Sequence, residues 1–299
     1  MNQEILDTHF HLWRAPGASY DWVDSAIDTG LHFVDRGTLP AEYTPTNYAS
    51  EWRDLGFTPF VHVEAGASPV DAMRETTWLA AGGDSTRGRF VVYADLRSLS
   101  IRDDLVQQLA MDKRVVGVRQ IVTWSPNPAI TFCDSDIMRD PTWERGLEVL
   151  AELGLSFDLQ IYPEQANFSS EIAARHRNVR FIINHTLLPL IVDGTVADGW
   201  SQALKALALH PNVAIKLGGL SLRNQEWSVQ QAASIMAECV DIFGVDHTMF
   251  GTNAPVETAR ARASDVAEAA DAVLAQLPAG ERRVLARESA LEWYSRPPL

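Results

Sequence analysis

Short apolar runs alternate with longer amphipathic stretches along most of this chain. The apolar runs are rich in β-branched and aromatic residues and end at Gly, Pro or polar residues, as buried β-strands do. Between most of them, apolar residues recur at helical spacing, for example over 69–83, 142–154, 199–211 and 228–244. The predicted strand segments are 4–11, 57–65, 89–96, 114–122, 155–162, 179–185, 212–220 and 247–253.

Strands that alternate with helices predict βα units and a parallel sheet. Eight such strands in 299 residues favour a closed (β/α)8 TIM barrel. An open doubly wound sheet is the alternative, and it would normally carry a glycine-rich phosphate loop after its first strand. The chain reads "LDTHFHLW" there, and no composition break marks a second domain. We therefore predict one barrel domain over residues 1–299.

A long irregular segment over 14–45 follows the first predicted strand. Loops of this length inside compact domains are usually functional or disordered. The segment carries Tyr20, Trp22 and Phe33, so we expect it to cover the barrel mouth as a lid or wall. Trp124, after the fourth strand, is expected to contribute to the same wall. The alternative is that these aromatic side chains only attach the loop to the barrel.

Composition and charge narrow the function classes. The chain is 46% hydrophobic and 21% charged, as in ordinary globular domains. Its formal net charge of −14 argues against nucleic acid or an anionic membrane as a partner, and leaves a small-molecule substrate. Cys133 and Cys239 lack metal-type spacing, and no signal peptide is evident, so we expect a cytoplasmic protein. A homo-oligomer is compatible with this fold.

Polar side chains are concentrated where the predicted strands end. Barrel enzymes build their active sites at the C-terminal ends of the strands, and a purely structural core would not place so many ionisable groups there. This concentration is the main residue-level indication of an active site. In strand order the residues are His9 and His11, His62 and Glu64, Asp95 and Arg97, Arg119 and Gln120, Asp158 and Gln160, His185, Lys216, and Asn253.

The pair His9 and His11 indicates a candidate metal site. Residues two apart in a strand point to the same face, and two adjacent imidazoles suit a first-row metal such as zinc. His185 is a candidate third ligand. A metal-free role for the pair is almost as well supported by the sequence. His62 either joins this group or satisfies a backbone carbonyl.

Several motifs resemble the amidohydrolase superfamily, specifically the amidohydrolase-2 branch of lactonase-like proteins. They are "DTHFHLW", "VHVEA", "GVRQIV", "GLSFDLQIYPEQ", "INHTLLP", "HPNVAIKLGGL" and "MFGTNAPVE", and they run in family order from residue 5 to residue 257. The resemblance implies a (β/α)8 barrel. It also implies hydrolysis of a lactone, another cyclic ester or an amide.

The resemblance also implies a ligand set from which this chain departs. Metal-dependent members use the paired histidines, a later histidine and an aspartate at the end of strand eight; here the matching residues are His9, His11, His185 and Asn253. An asparagine supplies neither negative charge nor a basic carboxylate. The expected cofactor is therefore one weakly bound divalent metal, preferably zinc, or none.

The leading hypothesis is hydrolysis of a small polar lactone, either a sugar-acid lactone or a carboxylated one. We assign proton transfer to His185, polarisation of the carbonyl to Lys216, and orientation of water or the leaving oxygen to Asn253. Arg119 is expected to bind a substrate carboxylate. Gln160, His62 and Trp124 complete the predicted substrate contacts.

Three alternatives stay open. Arg119 could pair with Asp95 or Asp158, and Lys216 with Glu64, as structural ion pairs. A metal-dependent decarboxylase belongs to the same superfamily branch. A barrel that binds a small molecule without converting it is the non-enzymatic alternative.

Overall fold

The computed structural model describes residues 4–14, 18–23, 38–82 and 88–296. Phe33 and most of the long loop after the first strand lie outside these residues, so the prediction for Phe33 stays a prediction.

Every predicted strand segment contains a strand of one parallel barrel. Neighbouring strands pair in parallel from the first to the eighth. The barrel closes between the eighth and first strands, where Thr8 N–H donates to the Phe250 carbonyl at 2.9 Å and Asn253 N–H donates to the His9 carbonyl at 2.7 Å. The bounds are β1 Ile5–Asp7, β2 Phe57–Pro59 continuing as Val61–Val63, β3 Arg89–Tyr93, β4 Val115–Arg119, β5 Ser156–Leu159, β6 Phe181–Ile183, β7 Val213–Leu217 and β8 Thr248–Phe250.

Helices follow the strands around the outside of the barrel, at the places where the sequence shows helical spacing. One of them, Pro141–Leu153, begins at Asp140, whose carboxylate accepts the Thr142 N–H, and ends at Gly154 in the left-handed region (φ 63°). The helices are α1 Pro45–Trp52, α2 Ala72–Ala81, α3 Ile101–Met111, α4 Pro141–Leu153, α5 Ala166–Arg175, α6 Trp200–Ala208, α7 Val229–Phe243, α8 Ala263–Ala275, α9 Ala279–Arg283 and α10 Ser289–Trp293. A short hairpin, Ile191–Val192 with Thr195–Val196, follows β6. Among helices in the described ranges, none combines the length and the hydropathy that crossing a bilayer requires.

The hydrophobic core has two layers. Most buried apolar side chains lie between the strands and the surrounding helices. A smaller cluster fills the barrel itself and includes Leu6, Val91, Ile182 and Met249. Tyr294, just after α10, belongs to this inner cluster, so the C-terminal segment packs into the barrel interior. The opposite end, where the strands finish, is left for polar side chains.

The described part of the long loop covers the barrel mouth, as predicted. Trp22 Nε1 donates to the Ala65 carbonyl at 2.7 Å, and the Tyr20 hydroxyl donates to Glu75 at 2.9 Å. The Ser19 N–H and hydroxyl both donate to Asp71, at 3.0 and 2.9 Å. The loop is therefore attached to α2 and to the segment that joins β2 to it.

Candidate active site

A cavity of about 310 Å³ opens at the C-terminal ends of the strands. Its polar side chains come from the ends of several strands, while apolar side chains from the loops form most of its wall. The polar group is His11, Arg119, Gln160, His185 and Asn253, with Asp21 and Ser68 in the loops; the apolar group is Trp22, Ala65, Ala67, Pro69, Ile121, Phe132, Leu222 and Val256.

Three imidazoles lie together near the buried end of this cavity, and two of them, His11 and His185, line it. The ring centroids of His9 and His11 are 5.0 Å apart, and those of His9 and His185 are 4.4 Å apart. His185 has φ 57°, in the left-handed region. A Cβ on Gly219 would lie 2.1 Å from its Nδ1, so only glycine fits beside this ring. Burial lowers the pKa of all three imidazoles well below the ordinary value.

His11 is held by two polar partners. Its Nδ1 lies 2.9 Å from the Val63 carbonyl oxygen, and its Nε2 lies 3.2 Å from Asn253 Oδ1. A carbonyl only accepts, so Nδ1 carries the proton of the neutral ring. Asn253 itself has φ 56°, a conformation that asparagine tolerates better than most residues. The sequence predicts both residues at the ends of their strands, whereas their direct contact is seen only in the structure.

Lys216 lies in the barrel interior, paired with Asp158. Both side chains are almost fully buried, at 1% and 0% exposure. Asp158 also accepts hydrogen bonds from the Tyr294 hydroxyl at 3.0 Å and from the Asn184 amide at 2.9 Å. Burial lowers the pKa of Lys216 to about 8. Lys216 is not among the described side chains that line the cavity, so its predicted polarisation of a substrate carbonyl has no support from the geometry.

Arg119 lines the cavity but is already paired. Its Nε donates to Glu64 Oε1 at 2.5 Å, and its Nη2 donates to the Glu64 backbone carbonyl at 2.7 Å. The structural ion pairs considered from the sequence therefore exist with exchanged partners: Arg119 with Glu64, and Lys216 with Asp158. Asp95 pairs instead with Arg97. A second buried carboxyl, Glu75, lies behind Glu64, and its pKa is raised to about 8 by burial and by Glu64.

Two buried carboxyls close to the site, Glu75 and Glu257, are not predicted from the sequence, and neither is among the described residues that line the cavity. Glu257 accepts the Ser221 N–H at 3.1 Å and the Ser221 hydroxyl at 2.9 Å, and burial raises its pKa to about 7. Its N–H donates to the Asn253 carbonyl at 3.0 Å. The motif "TNAPVE" contained the signal for Glu257, whereas Glu75 occupies an ordinary helical position whose burial depends on the loop above it.

Of the other predicted substrate contacts, one lines the cavity and two do not. Gln160 lines the cavity as expected. His62 does not appear among its described lining residues: its Nε2 lies 3.2 Å from the Leu12 carbonyl, between the rings of Phe10 and Phe90. Trp124 lines a different cavity, beside Tyr162 and Arg223. The geometry therefore supports Gln160, and gives no support to substrate contacts by His62 and Trp124.

The residues present do not fit the predicted zinc site. The Lys216 ammonium lies 3.4 Å from His9 Nδ1 and can only donate, so the neutral His9 ring carries its proton on Nε2 and offers no lone pair there. Asn253 supplies a neutral oxygen where a metal site would use a carboxylate. Within the described ranges, no group of three or more His, Cys, Asp or Glu side chains is arranged to hold a metal ion.

Comparisons with known proteins agree with this architecture. The chain is 30% identical to "Uncharacterized protein y4mH" of Sinorhizobium fredii over 97% of this chain and 98% of that protein. It is 24% identical to an L-fucono-1,5-lactonase of Burkholderia multivorans, over 98% and 96% of the two chains.

Among solved structures, an amidohydrolase from Burkholderia multivorans with bound zinc is similar at a TM-score of 0.79 and 22% identity, over 98% of this chain and all of that one. A protein from Pseudomonas putida that is provisionally named a 2-pyrone-4,6-dicarboxylic acid hydrolase has a TM-score of 0.73 at 17% identity, over 98% of each chain. At these identities the likeness shows the fold alone. The family profile Amidohydro_2, described as amidohydrolase, matches residues 6–296. The chain therefore belongs to the Amidohydro_2 family, and it forms the TIM barrel of these hydrolases.

Proposed function

We propose that this hydrolase opens lactones, with His185 as the group that moves the proton. The observation that carries the proposal is the convergence of His185, Arg119, Gln160 and Asn253 at the buried end of one cavity. A base, a cation and two amides around one small space can activate water and stabilise the oxyanion that forms when an ester is hydrolysed.

His185 is suited to act first as a base and then as an acid. Burial and the nearby Arg119 lower the pKa of its imidazole, so the ring is neutral at pH 7 and keeps a free lone pair. It takes a proton from water while the water oxygen bonds to the lactone carbonyl carbon. The ring C–O bond then breaks, and the imidazolium returns the proton to the leaving oxygen. The product is a hydroxy acid.

Arg119 is placed to stabilise the negative charge that develops on the carbonyl oxygen. Glu64 holds its Nε and Nη2, and within the described part of the chain its Nη1 makes no hydrogen bond. A fixed cationic donor at a buried position stabilises an oxyanion at little reorganisation cost. Gln160 and Asn253 supply amide groups that orient the carbonyl and the water.

The named relatives support hydrolysis of a lactone, but they do not support any particular lactone as the substrate. The similarity to the Burkholderia multivorans lactonase covers nearly the whole chain, although at 24% identity. A 2,6-dihydroxybenzoate decarboxylase shares the fold at a TM-score of 0.60 and 12% identity, which supports no shared reaction. The poor fit of a metal to the donor set gives the decarboxylase alternative no support in this chain.

A lactone panel tests the proposal, with acid release followed by a pH indicator, in buffer without metal and with added zinc. We expect hydrolysis that zinc does not accelerate. His185→Asn should lower kcat/KM by about 100-fold or more, because it removes the imidazole while tolerating the positive φ. His210→Asn, which lies before β7 at the far end of the barrel, is the matched control. If lactones raise the melting temperature but none is hydrolysed, the non-catalytic binding alternative holds instead.

A further inference from the structure

Most of the described side chains that form the wall of the cavity cannot hydrogen-bond to a ligand. Trp22 carries a polar group, but its Nε1 already donates to the Ala65 carbonyl. Leu222 and Val256 pack with Tyr162 and Leu188 in one apolar cluster, against which Phe132 also packs. The remaining apolar members are Ala65, Ala67, Pro69 and Ile121. Among the described residues, polar wall groups are limited to Asp21 and Ser68 in the loops.

The polar end of the cavity has few groups left for a ligand. His11 is engaged on both ring nitrogens, by Val63 and by Asn253. Two of the three nitrogens of Arg119 are engaged by Glu64. His185, the Gln160 side chain, Arg119 Nη1 and the Asn253 amide atom that does not face His11 remain, which is sufficient for one ester group and its attacking water. It is not sufficient for a ring that carries several hydroxyl groups.

The charges at this end are also balanced. Arg119 is neutralised by Glu64 and Lys216 by Asp158, and all four side chains are buried. A substrate carboxylate would have to compete with Glu64 for Arg119. Among the described residues at this end, a carboxylated substrate would therefore meet no cation that lacks a counter-charge.

On the basis of the proposed lactone hydrolysis, we infer that the substrate is an uncharged lactone with an alkyl or aryl substituent. The ester lies at His185, Arg119 and Gln160, and the substituent lies against Ile121, Phe132, Leu222 and Val256. Each methylene buried on this wall should strengthen binding about fourfold. Each hydroxyl that is buried there without a partner should weaken binding by about tenfold or more.

Three δ-lactones test this inference: unsubstituted δ-valerolactone, the same ring with a propyl side chain, and δ-gluconolactone. We expect kcat/KM to be about tenfold or more above valerolactone for the propyl compound, and about tenfold or more below it for gluconolactone. A gluconolactone kcat/KM above that of the propyl compound overturns the inference, while proposed lactone hydrolysis stands. If none of the three is hydrolysed, the proposed function fails. The rise in melting temperature that each compound causes then still shows whether the propyl or the hydroxyl-bearing ring binds better.

Val256→Thr supplies a wall variant of almost unchanged shape. The added hydroxyl should reduce the advantage of the propyl compound over gluconolactone by about fivefold or more. Val192→Thr, at a 48% exposed position in the hairpin after β6, is the matched control and should leave that ratio unchanged. An unchanged ratio in the Val256 variant, with unfolding like the parent's, would show that this wall does not contact the substituent.

Discussion

Asn253 Oδ1 lies 3.2 Å from His11 Nε2, at the point where the eighth and first strands of the barrel meet. Because Val63 holds the proton of His11 on Nδ1, the neutral ring presents a lone pair at Nε2. If the Asn253 side-chain amide is rotated by 180°, its N–H can donate to that lone pair, whereas a carboxylate can only accept. Asparagine at this position is therefore compatible with a neutral His11, and aspartate would favour the imidazolium.

Asn253→Asp should raise the pKa of His11 and create affinity for zinc. The new carboxylate stabilises the protonated ring at low pH, and it supplies the anionic ligand that a zinc site uses. After purification without added metal and dialysis against zinc, we expect about one zinc per chain in the variant by elemental analysis, and far less in the parent. Asn127→Asp, at an exposed loop position, is the control. If neither protein holds zinc, the Lys216 ammonium rather than the missing carboxylate keeps the metal out. About one zinc in both would show that the parent's residues do bind it.

Breaking the Arg119–Glu64 pair should destabilise the protein strongly. Glu64→Gln leaves the buried guanidinium without a counter-charge, which costs about 3–5 kcal/mol in the free energy of unfolding. Glu152→Gln breaks an exposed pair with Arg102 and should change stability by less than about 1 kcal/mol. Denaturant unfolding of the two variants measures the difference. Similar losses for both would mean that water reaches Arg119.

The buried Glu75 should make stability depend on pH. Its pKa rises from the ordinary 4.5 to about 8 on folding, so the folded protein binds the extra proton between these values. The contribution of the protonated Glu75 to the free energy of unfolding is fully present below about pH 4.5 and is lost as pH rises towards 8. For this one proton, the free energy of unfolding changes by at most about 1.4 kcal/mol per pH unit. Glu75→Gln should remove this slope from plots of unfolding free energy against pH; a parallel curve would show that Glu75 is already ionised in the folded state.

Gly219→Ala should disable His185 without altering any reactive group. The added Cβ would lie 2.1 Å from His185 Nδ1, so the ring must move. Gly199→Ala is the control, because Gly199 is also in the left-handed region (φ 91°, ψ −20°) but has nothing within 4 Å of its Cβ position. Both changes strain the backbone, at about 1–3 kcal/mol each. We expect about a tenfold or greater loss of kcat/KM in the Gly219 variant relative to the Gly199 variant. Equal kcat/KM values would remove His185 from the proposed mechanism.

The order and location of the barrel strands followed from the sequence alone. Each apolar run contains its strand, and the helices at 72–81, 141–153, 200–208 and 229–243 lie within a residue or a few of their predicted spans. Local periodicity carries this information, because burial on one face imposes the repeat. The strands are shorter than the runs, since the polar residues at their ends turn into the cavity instead of continuing the ladder.

Sequence order also placed His11, Arg119, Gln160, His185 and Asn253 at one end of the barrel, because parallel strands finish on the same side. Tertiary structure alone decided which of these groups are free to act. Arg119 and Lys216 look equivalent as cations at strand ends, yet one reaches the cavity and the other is enclosed with Asp158 and Tyr294. Partner choice depends on distances between side chains from different strands and on what the long loop and the C-terminal segment bury. A linear pattern does not encode those distances.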